Sequence, residues 1–389
     1  MVESNLLFKG SSGCVFRPQL KCQKKTRDKK KTKGTKRKGS VKTQKKQIWG
    51  KSKSNVTKLM FDRNNHEIDF IKIIKKIKNY SSWTSLWTSS CESPPYSELL
   101  DDDSINECLK ESNVKGIDLD SRFYLQQGDY GGHDLNQHRK KTLSKNILTN
   151  QLKFNEYFIK LFRLMKNVFY GLTQLSKHGI CHHDINIRNI LIKKNKSYII
   201  DYDISLKINK VVGNKFLKKR IDSEYSHYRI YEAYPFEYIY HNLDNRSDII
   251  REQDNIKSYQ SLIGYYELYL PINEGIFGID TNKQRDEYLE NKLEKTRPTR
   301  STRTTRTTRS TNLTNLMRKL DIYSLGMMIL IVFFDSGVAH NIQIDEIIKR
   351  LRDPELKPYM DLIRDMIQFR HQDRITCEEA YKRYLNLIR

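Results

Sequence analysis

Asn189 and Asp201 are placed where chemistry could be done. Asn189 directly precedes the apolar run Ile190-Leu191-Ile192, and Asp201 directly follows a second one, Tyr198-Ile199-Ile200. A polar turn, residues 193–196, lies between the two runs. This pattern predicts a β-hairpin. Antiparallel pairing brings the outer ends of a hairpin together, so an amide oxygen and a carboxylate become neighbours. Such a donor set suits a hard, oxygen-preferring cation such as Mg²⁺.

The elements around the hairpin have periodic signatures. Phe158, Leu161, Phe162, Met165, Val168, Phe169, Leu172 and Leu175 form one long helical stripe. Lys177-His178-Gly179 supplies last-turn residues suited to the helix dipole and a glycine stop. Farther back, Ile68, Ile71, Ile74 and Ile77 predict a second helix, with Asn64-Asn65 as its cap and Glu67 near its start. Segment 79–120 mixes Ser, Trp, Pro and the acidic run Asp101-Asp102-Asp103, and reads as an irregular insertion. Trp83 and Trp87 are expected to pack on the body of the protein. Twelve nearly continuous apolar residues, 323–334, are too few to span a bilayer and suit a buried core helix.

The chain has 389 residues, with 71 Lys+Arg against 46 Asp+Glu and a net charge of +25. Its length fits two domains or one large bilobal one. Aromatic residues make up 11%, too much apolar surface for wholesale disorder. The charge is concentrated. Residues 21–53 hold 16 Lys/Arg and one acid, a net +15, and residues 296–311 add five arginines and no acid. Neither segment has apolar periodicity, so both read as solvated loops. The first could contact a polyanion, such as nucleic acid, acidic protein or a membrane surface, or be a tolerated insertion. The second, with its repeating Thr-Arg, reads as an expanded linker. No secretory leader or transmembrane segment is expected. Six cysteines without any C-x-x-C pair give little support for zinc or a disulfide framework, and a reducing compartment is the default.

Further motifs extend from residue 8 to residue 374. Phe8-Lys9-Gly10-Ser11-Ser12-Gly13-Cys14-Val15 matches G-x-G-x-x-G-x-V except at its first glycine, and glycines here let backbone N–H groups approach phosphates. Val56-Thr57-Lys58 loosely matches V-A-I-K, and His182-His183-Asp184 with Asn189 matches H-R-D-L-x-x-x-N. Asp201-Tyr202-Asp203 stands in the place of D-F-G, and Pro235-Phe236-Glu237 in that of A-P-E. In this order they resemble the eukaryotic-type protein kinases, and most closely the divergent serine/threonine kinases of large DNA viruses.

The resemblance implies an α+β, bilobal protein-kinase-like fold. A small β-rich lobe would span residues 1–127, with inserts at 21–53 and 79–120. A mainly helical lobe would span 128–389, with an insert at 240–315. It implies ATP and Mg²⁺ as cofactors and protein hydroxyls as acceptors. Residues 8–15 and Lys58 would bind ATP, and Lys58 would pair with Glu67. Asp184 would accept the substrate proton, while Asn189 and Asp201 would hold the metal. Residues 123–126 and the following Gly128 to Gly132 resemble the strand and hinge that cradle adenine. Asp321 would open the buried central helix, and Arg374 would pair with Glu237.

Four positions depart from the family pattern: Phe8 for the first glycine, His183 for arginine, Asn186 for lysine and Asp203 for the last glycine of D-F-G. Regulation by phosphate bound at His183 is therefore not expected. Arg188 lies where tyrosine-directed members keep an arginine. The alternatives to an active serine/threonine kinase are a pseudokinase scaffold, a polyanion-binding protein acting through residues 21–53, and a small-molecule kinase.

Overall fold

In a computed structural model of the chain, the described residues are 5–10, 13–23, 48–61, 65–111, 117–211, 217, 234–235, 274–280, 283–284, 287 and 313–389. The protein is α+β, with a sheet-rich N-terminal region and a helical C-terminal region. It divides into two units. The first comprises residues 1–71 and 85–131, and the second residues 72–84 and 132–389.

The first unit is built on five antiparallel strands in the order β1-β2-β3-β5-β4. These are β1 (Leu6–Gly10), β2 (Gly13–Phe16), β3 (Asn55–Met60), β4 (Ser89–Glu92) and β5 (Tyr124–Asp129). Residues directly opposite each other on paired strands share a face. Val15, Lys58 and Gln126 therefore lie in a row on one face, and Cys14, Leu59 and Leu125 on the other. The second face carries the apolar cluster. It packs Cys14, Phe16, Leu59 and Leu125 against Leu99, Ile105, Cys108 and Leu109.

Those last four residues come from the segment read as irregular, and that reading is corrected. Residues 79–120 contain β4 and a helix, α2 (Asp103–Glu111). Helix α2 has only nine residues, and β4 pairs through its backbone with little apolar alternation of its own, so neither produced a period. Trp83 belongs to the second unit and is fully buried there against Gly171, and Trp87, in the first unit, packs beside Gly128.

The expectation of a disulfide-free chain is also overturned. Cys14 is bonded to Cys108 and Cys22 to Cys91, across 94 and 69 residues. Local spacing cannot reveal such pairs, because the sheet and α2 bring them together. Cys181 and Cys377 are free and buried.

Helix α1 (Asn65–Ile74) carries Phe70, Ile71 and Ile74 as buried residues, while Ile77 is buried beyond its end. Asn64, half of the expected cap, lies outside the described residues.

In the second unit, α3 (Leu135–Thr142) and α4 (Lys145–Thr149) lead into α5 (Gln151–Leu164) and α6 (Lys166–Lys177). The single long helix expected from the apolar stripe is broken at Met165. Tyr384 Oη donates to the carbonyls of Phe162 (3.1 Å) and Arg163 (2.9 Å), and Ser197 Oγ donates to that of Leu164 (2.7 Å). These side chains give the last-turn carbonyls of α5 partners from outside the helix. Gly179, at φ +68°, makes the stop after α6.

Short strand β7 (Ile180–Cys181) follows, then β8 (Ile190–Lys193) and β9 (Lys196–Ile199), paired antiparallel as a hairpin. Lys194 and Asn195 both have positive φ, as a two-residue type I′ turn requires. Strand β6 (His133–Asp134) adds to the hairpin's edge, and β10 (Leu206–Lys207) pairs with β7.

The core is formed by α7 (Leu320–Ala339), with α8 (Ile344–Leu351), α9 (Lys357–Met366) and α10 (Cys377–Leu387) around it. Helix α7 has 20 residues, longer than its apolar run, and almost every side chain from Leu320 to Phe334 is buried inside the protein. Phe333 stacks on Phe158 at 5.3 Å between ring centroids, and Tyr384 on Phe169 at 4.3 Å. Thr376 and Glu379 form a reciprocal capping box that starts α10.

Candidate active site

The sequence-predicted residues fall into two sets, one in each unit. In the first unit, Lys58 on β3 and Glu67 on α1 are both buried, with Nζ and Oε2 3.6 Å apart. A buried cation and anion of this kind are retained only when paired. Strands β1 and β2 pair as far as Gly10 opposite Gly13, and β2 lies directly beside the Lys58 strand. A Cβ on Gly13 (φ +153°) would fall 2.1 Å from the Leu59 carbonyl oxygen, so only glycine fits there.

Within the same motif, Val15 shares the face of Lys58, whereas Cys14 faces the opposite core and is tied to Cys108. Lys9 is drawn sideways to Glu107 of α2 (2.6 Å), and Phe8 is exposed. Ser11 and Ser12 lie outside the described residues.

The second set is assembled by the segment between α6 and β9. Asp184 is held from two sides. Asn189 Nδ2 donates to its Oδ2 (2.7 Å) and to its backbone carbonyl (2.9 Å), and Asn186 Nδ2 donates to its Oδ1 (3.0 Å). Asn186 Oδ1 in turn accepts the backbone N–H groups of Arg188 (2.8 Å) and Asn189 (3.3 Å). The loop is thus closed by its own amides, and both carboxylate oxygens of Asp184 have a fixed direction.

Asn189 and Asp201 stand at the two ends of the β8–β9 hairpin. The N–H of Ile200 donates to the Asn189 carbonyl at 3.0 Å, which places the two ends side by side. Asp201 has φ +68°, a conformation costly for a residue with a Cβ. Its neighbour Tyr202 is buried, and Tyr202 Oη donates to Thr84 Oγ1 (2.9 Å), which itself donates to the Ile199 carbonyl (2.7 Å). Burial pushes the Tyr202 phenol well above its ordinary range.

Below the loop, Asp321 at the start of α7 accepts the N–H of His182 at Oδ2 (2.7 Å) and that of His183 at Oδ1 (2.9 Å). Burial raises the Asp321 carboxyl pKa, and the nearby His182 and these N–H groups oppose the shift. His182 is fully buried, and desolvation holds its imidazole below the ordinary value despite Asp321, the Ile200 carbonyl and Asp201. Its two nitrogens lie 3.0 Å from the Ile200 carbonyl and 3.2 Å from the Asp184 N–H. His182 therefore ties the loop to the hairpin's end.

His183, at φ +70°, stacks on Tyr234 with centroids 5.2 Å apart. Tyr234 Oη also donates to the His183 carbonyl. Reading the sequence missed Tyr234, because nothing in its spacing marks it. It also passed over Asn186 as a supporting group, treating it only as a lost lysine.

Arg374 is buried, with its guanidinium bonded to the Gln368 and Phe369 carbonyls and 4.7 Å from the centre of the Tyr323 ring. Its expected partner, Glu237, lies outside the described residues, as do residues 24–47 and 296–311 of the two basic inserts.

No protein-family model matches the chain. A stretch of 47 residues is 43% identical to a probable serine/threonine-protein kinase, irlD, of Dictyostelium discoideum. It covers 12% of this chain and 3% of that protein, so the likeness extends to a small fraction of either. It points to a relationship with serine/threonine kinases.

Proposed function

We propose that this chain is an ATP-dependent protein kinase, built on a bilobal kinase-like fold, that transfers the γ-phosphoryl group of ATP to serine or threonine hydroxyls. The observation that carries the reading is the held Asp184 carboxylate next to a hairpin whose two ends bear Asn189 and Asp201. Phosphoryl transfer needs positioning and charge neutralisation more than covalent participation by the protein. An oriented carboxylate serves the first need, by accepting the proton of the attacking hydroxyl. The Lys58–Glu67 pair serves the second, by presenting a fixed cation to the α/β-phosphates.

The metal reading rests on donor chemistry. Asn189 gives its Nδ2 to Asp184, which leaves its amide oxygen for a cation beside the Asp201 carboxylate. Among the described residues no three or more His, Cys, Asp or Glu side chains cluster as a metal cage. Mg²⁺ is commonly bound through one or two carboxylates together with substrate phosphates, and this sparse set fits that habit. When bound, Mg²⁺ would neutralise charge developing on the β- and γ-phosphates.

Calorimetric titration with ATP tests the reading. Binding is expected with Mg²⁺, and should weaken at least about tenfold in Lys58→Met, which removes a buried charge contact. Asp201→Asn should abolish the dependence on Mg²⁺. Equal binding by all three proteins would refute the assignment.

A pseudokinase scaffold is the second reading, favoured by the exposed Phe8, the Lys9–Glu107 ion pair and Asp203. It predicts ATP binding without turnover. The segment 21–53 is proposed as a separate polyanion contact. Its affinity for nucleic acid should fall steeply with salt, and deletion of residues 24–47 should flatten that slope.

A further inference from the structure

The Asp184 side chain is held by residues that follow it, Asn186 and Asn189. The chain that leads into it has a different support, and the kinase reading gives that support no task. His183 sits at φ +70°, a conformation costly for a residue with a Cβ and kept only where the surroundings fix it. Its N–H donates to Asp321 Oδ1 at 2.9 Å, and its Nδ1 lies 3.3 Å from the Ile204 carbonyl. Its carbonyl accepts from Tyr234 Oη, 51 residues along the chain. Both residues are buried, and their rings lie 11° from parallel with centroids 5.2 Å apart.

One peptide unit connects this support to the carboxylate. The His183 carbonyl and the Asp184 N–H belong to the same trans peptide plane and point in opposite directions. Tyr234 bonds the carbonyl end, and His182 Nδ1 accepts from the N–H end at 3.2 Å. A plane bonded at both ends resists rotation. Its orientation sets the direction in which the Asp184 side chain leaves the backbone, before Asn186 and Asn189 act on the carboxylate itself.

We propose that Tyr234 is a positioning residue for phosphoryl transfer, fixing through His183 the peptide plane from which Asp184 projects. This rests on the proposed function. The hydroxyl supplies direction, because packing cannot replace a donor to a buried carbonyl. The ring supplies support, because its stack holds His183 in the left-handed conformation. A displaced base loses its alignment with the substrate hydroxyl, and a misplacement of about 1 Å costs about 10²-fold in rate. Tyr234 therefore acts on the transfer step. Lys58, assigned to the ATP phosphates, belongs to the other unit, so ATP binding is left alone. A tyrosine that merely filled the core would lower stability without slowing the folded enzyme.

The test is steady-state transfer of labelled γ-phosphate by the full chain with Mg²⁺, at varied ATP, below the melting transition of every variant. Tyr234→Phe keeps the ring and loses the hydroxyl. Its kcat should fall by about tenfold while KM for ATP stays within about twofold. On the other side of the contact, His183→Phe keeps a ring to stack and His183→Ala does not. His183→Phe should retain at least about fivefold more kcat than His183→Ala. The proposal is overturned by wild-type kcat in Tyr234→Phe, by a loss that falls on KM for ATP, or by equal impairment of the two His183 variants. If Tyr234→Phe does not fold, the His183 pair decides. Absence of transfer by the wild type ends the kinase reading as well, whereas an active wild type matched by Tyr234→Phe ends this proposal alone.

Discussion

The Asn186 amide donates to Asp184 Oδ1 at 3.0 Å, while Asn189 donates to Oδ2 at 2.7 Å. Donors to a carboxylate stabilise its charged form and fix its direction. On the proposed kinase reading, Asn186 positions that carboxylate. Asn186→Ala is expected to lower kcat by about tenfold with little change in KM for ATP. A fall in kcat of that size with KM for ATP unchanged supports the positioning role, and an unchanged kcat would contradict it.

Asp321 accepts the backbone N–H groups of both His182 and His183. Asp321→Ala leaves two buried donors unmatched, each costing about 1–3 kcal/mol, so unfolding stability should fall by about 2–6 kcal/mol. Denaturant titration measures this. A loss below about 1 kcal/mol contradicts the anchoring role.

His182 gives stability a pH dependence of definite sign. Burial depresses its folded pKa from 6.5, so the unfolded chain takes up the proton first as pH falls. The stability it contributes is present above 6.5 and is lost as pH drops through the lower folded value. Melting temperatures between pH 7 and pH 5 should decline more steeply in the wild type than in His182→Gln. Parallel curves would exclude the effect.

Gly171 has no room for a side chain. A Cβ there would lie 2.7 Å from Trp83 Cε3 and 2.9 Å from Ile199 Cδ1. Gly171→Ala is expected to destabilise the protein by about 1–3 kcal/mol through overpacking against the strand end that leads to Asp201. A shift in chemical denaturation midpoint reports it, and no shift would mean that Trp83 can move aside.

Two disulfides imply a thiol count. Protein denatured without reductant should expose two titratable thiols, from Cys181 and Cys377, and six after reduction. Loss of the Cys14–Cys108 bond in Cys14→Ser should cost about 2–5 kcal/mol. Six thiols without reductant would show that the bonds do not form.

What the sequence made legible depended on how local the signal was. The hairpin carrying Asn189 and Asp201 could be read because two apolar runs and their turn are contiguous. Helix α7 was read from its apolar run, although its full length was not. Helix α2 and strand β4 could not be read, since their burial is decided by the other face of the sheet. The break at Met165 escaped for the same reason, because the hydroxyls responsible, Ser197 and Tyr384, lie 33 and 222 residues from their acceptors. At the candidate site, residue types and spacing indicated the pairing of Asn189 with Asp201, and the resemblance to kinase motifs indicated Lys58, Glu67 and Asp184. They could not indicate the Asn186 bond to Asp184 or the Tyr234 bond to His183, which exist only once the chain is folded.

Transfer of labelled γ-phosphate from ATP to a mixed set of protein substrates, followed by identification of the labelled residue, tests the central claim most directly. Wild-type protein with Mg²⁺ should label serine and threonine hydroxyls, and Asp184→Asn, which keeps shape but removes the base, should lower the rate by about 10²-fold or more. Equal labelling by Asp184→Asn, or none by a wild-type protein that binds Mg-ATP, would contradict it.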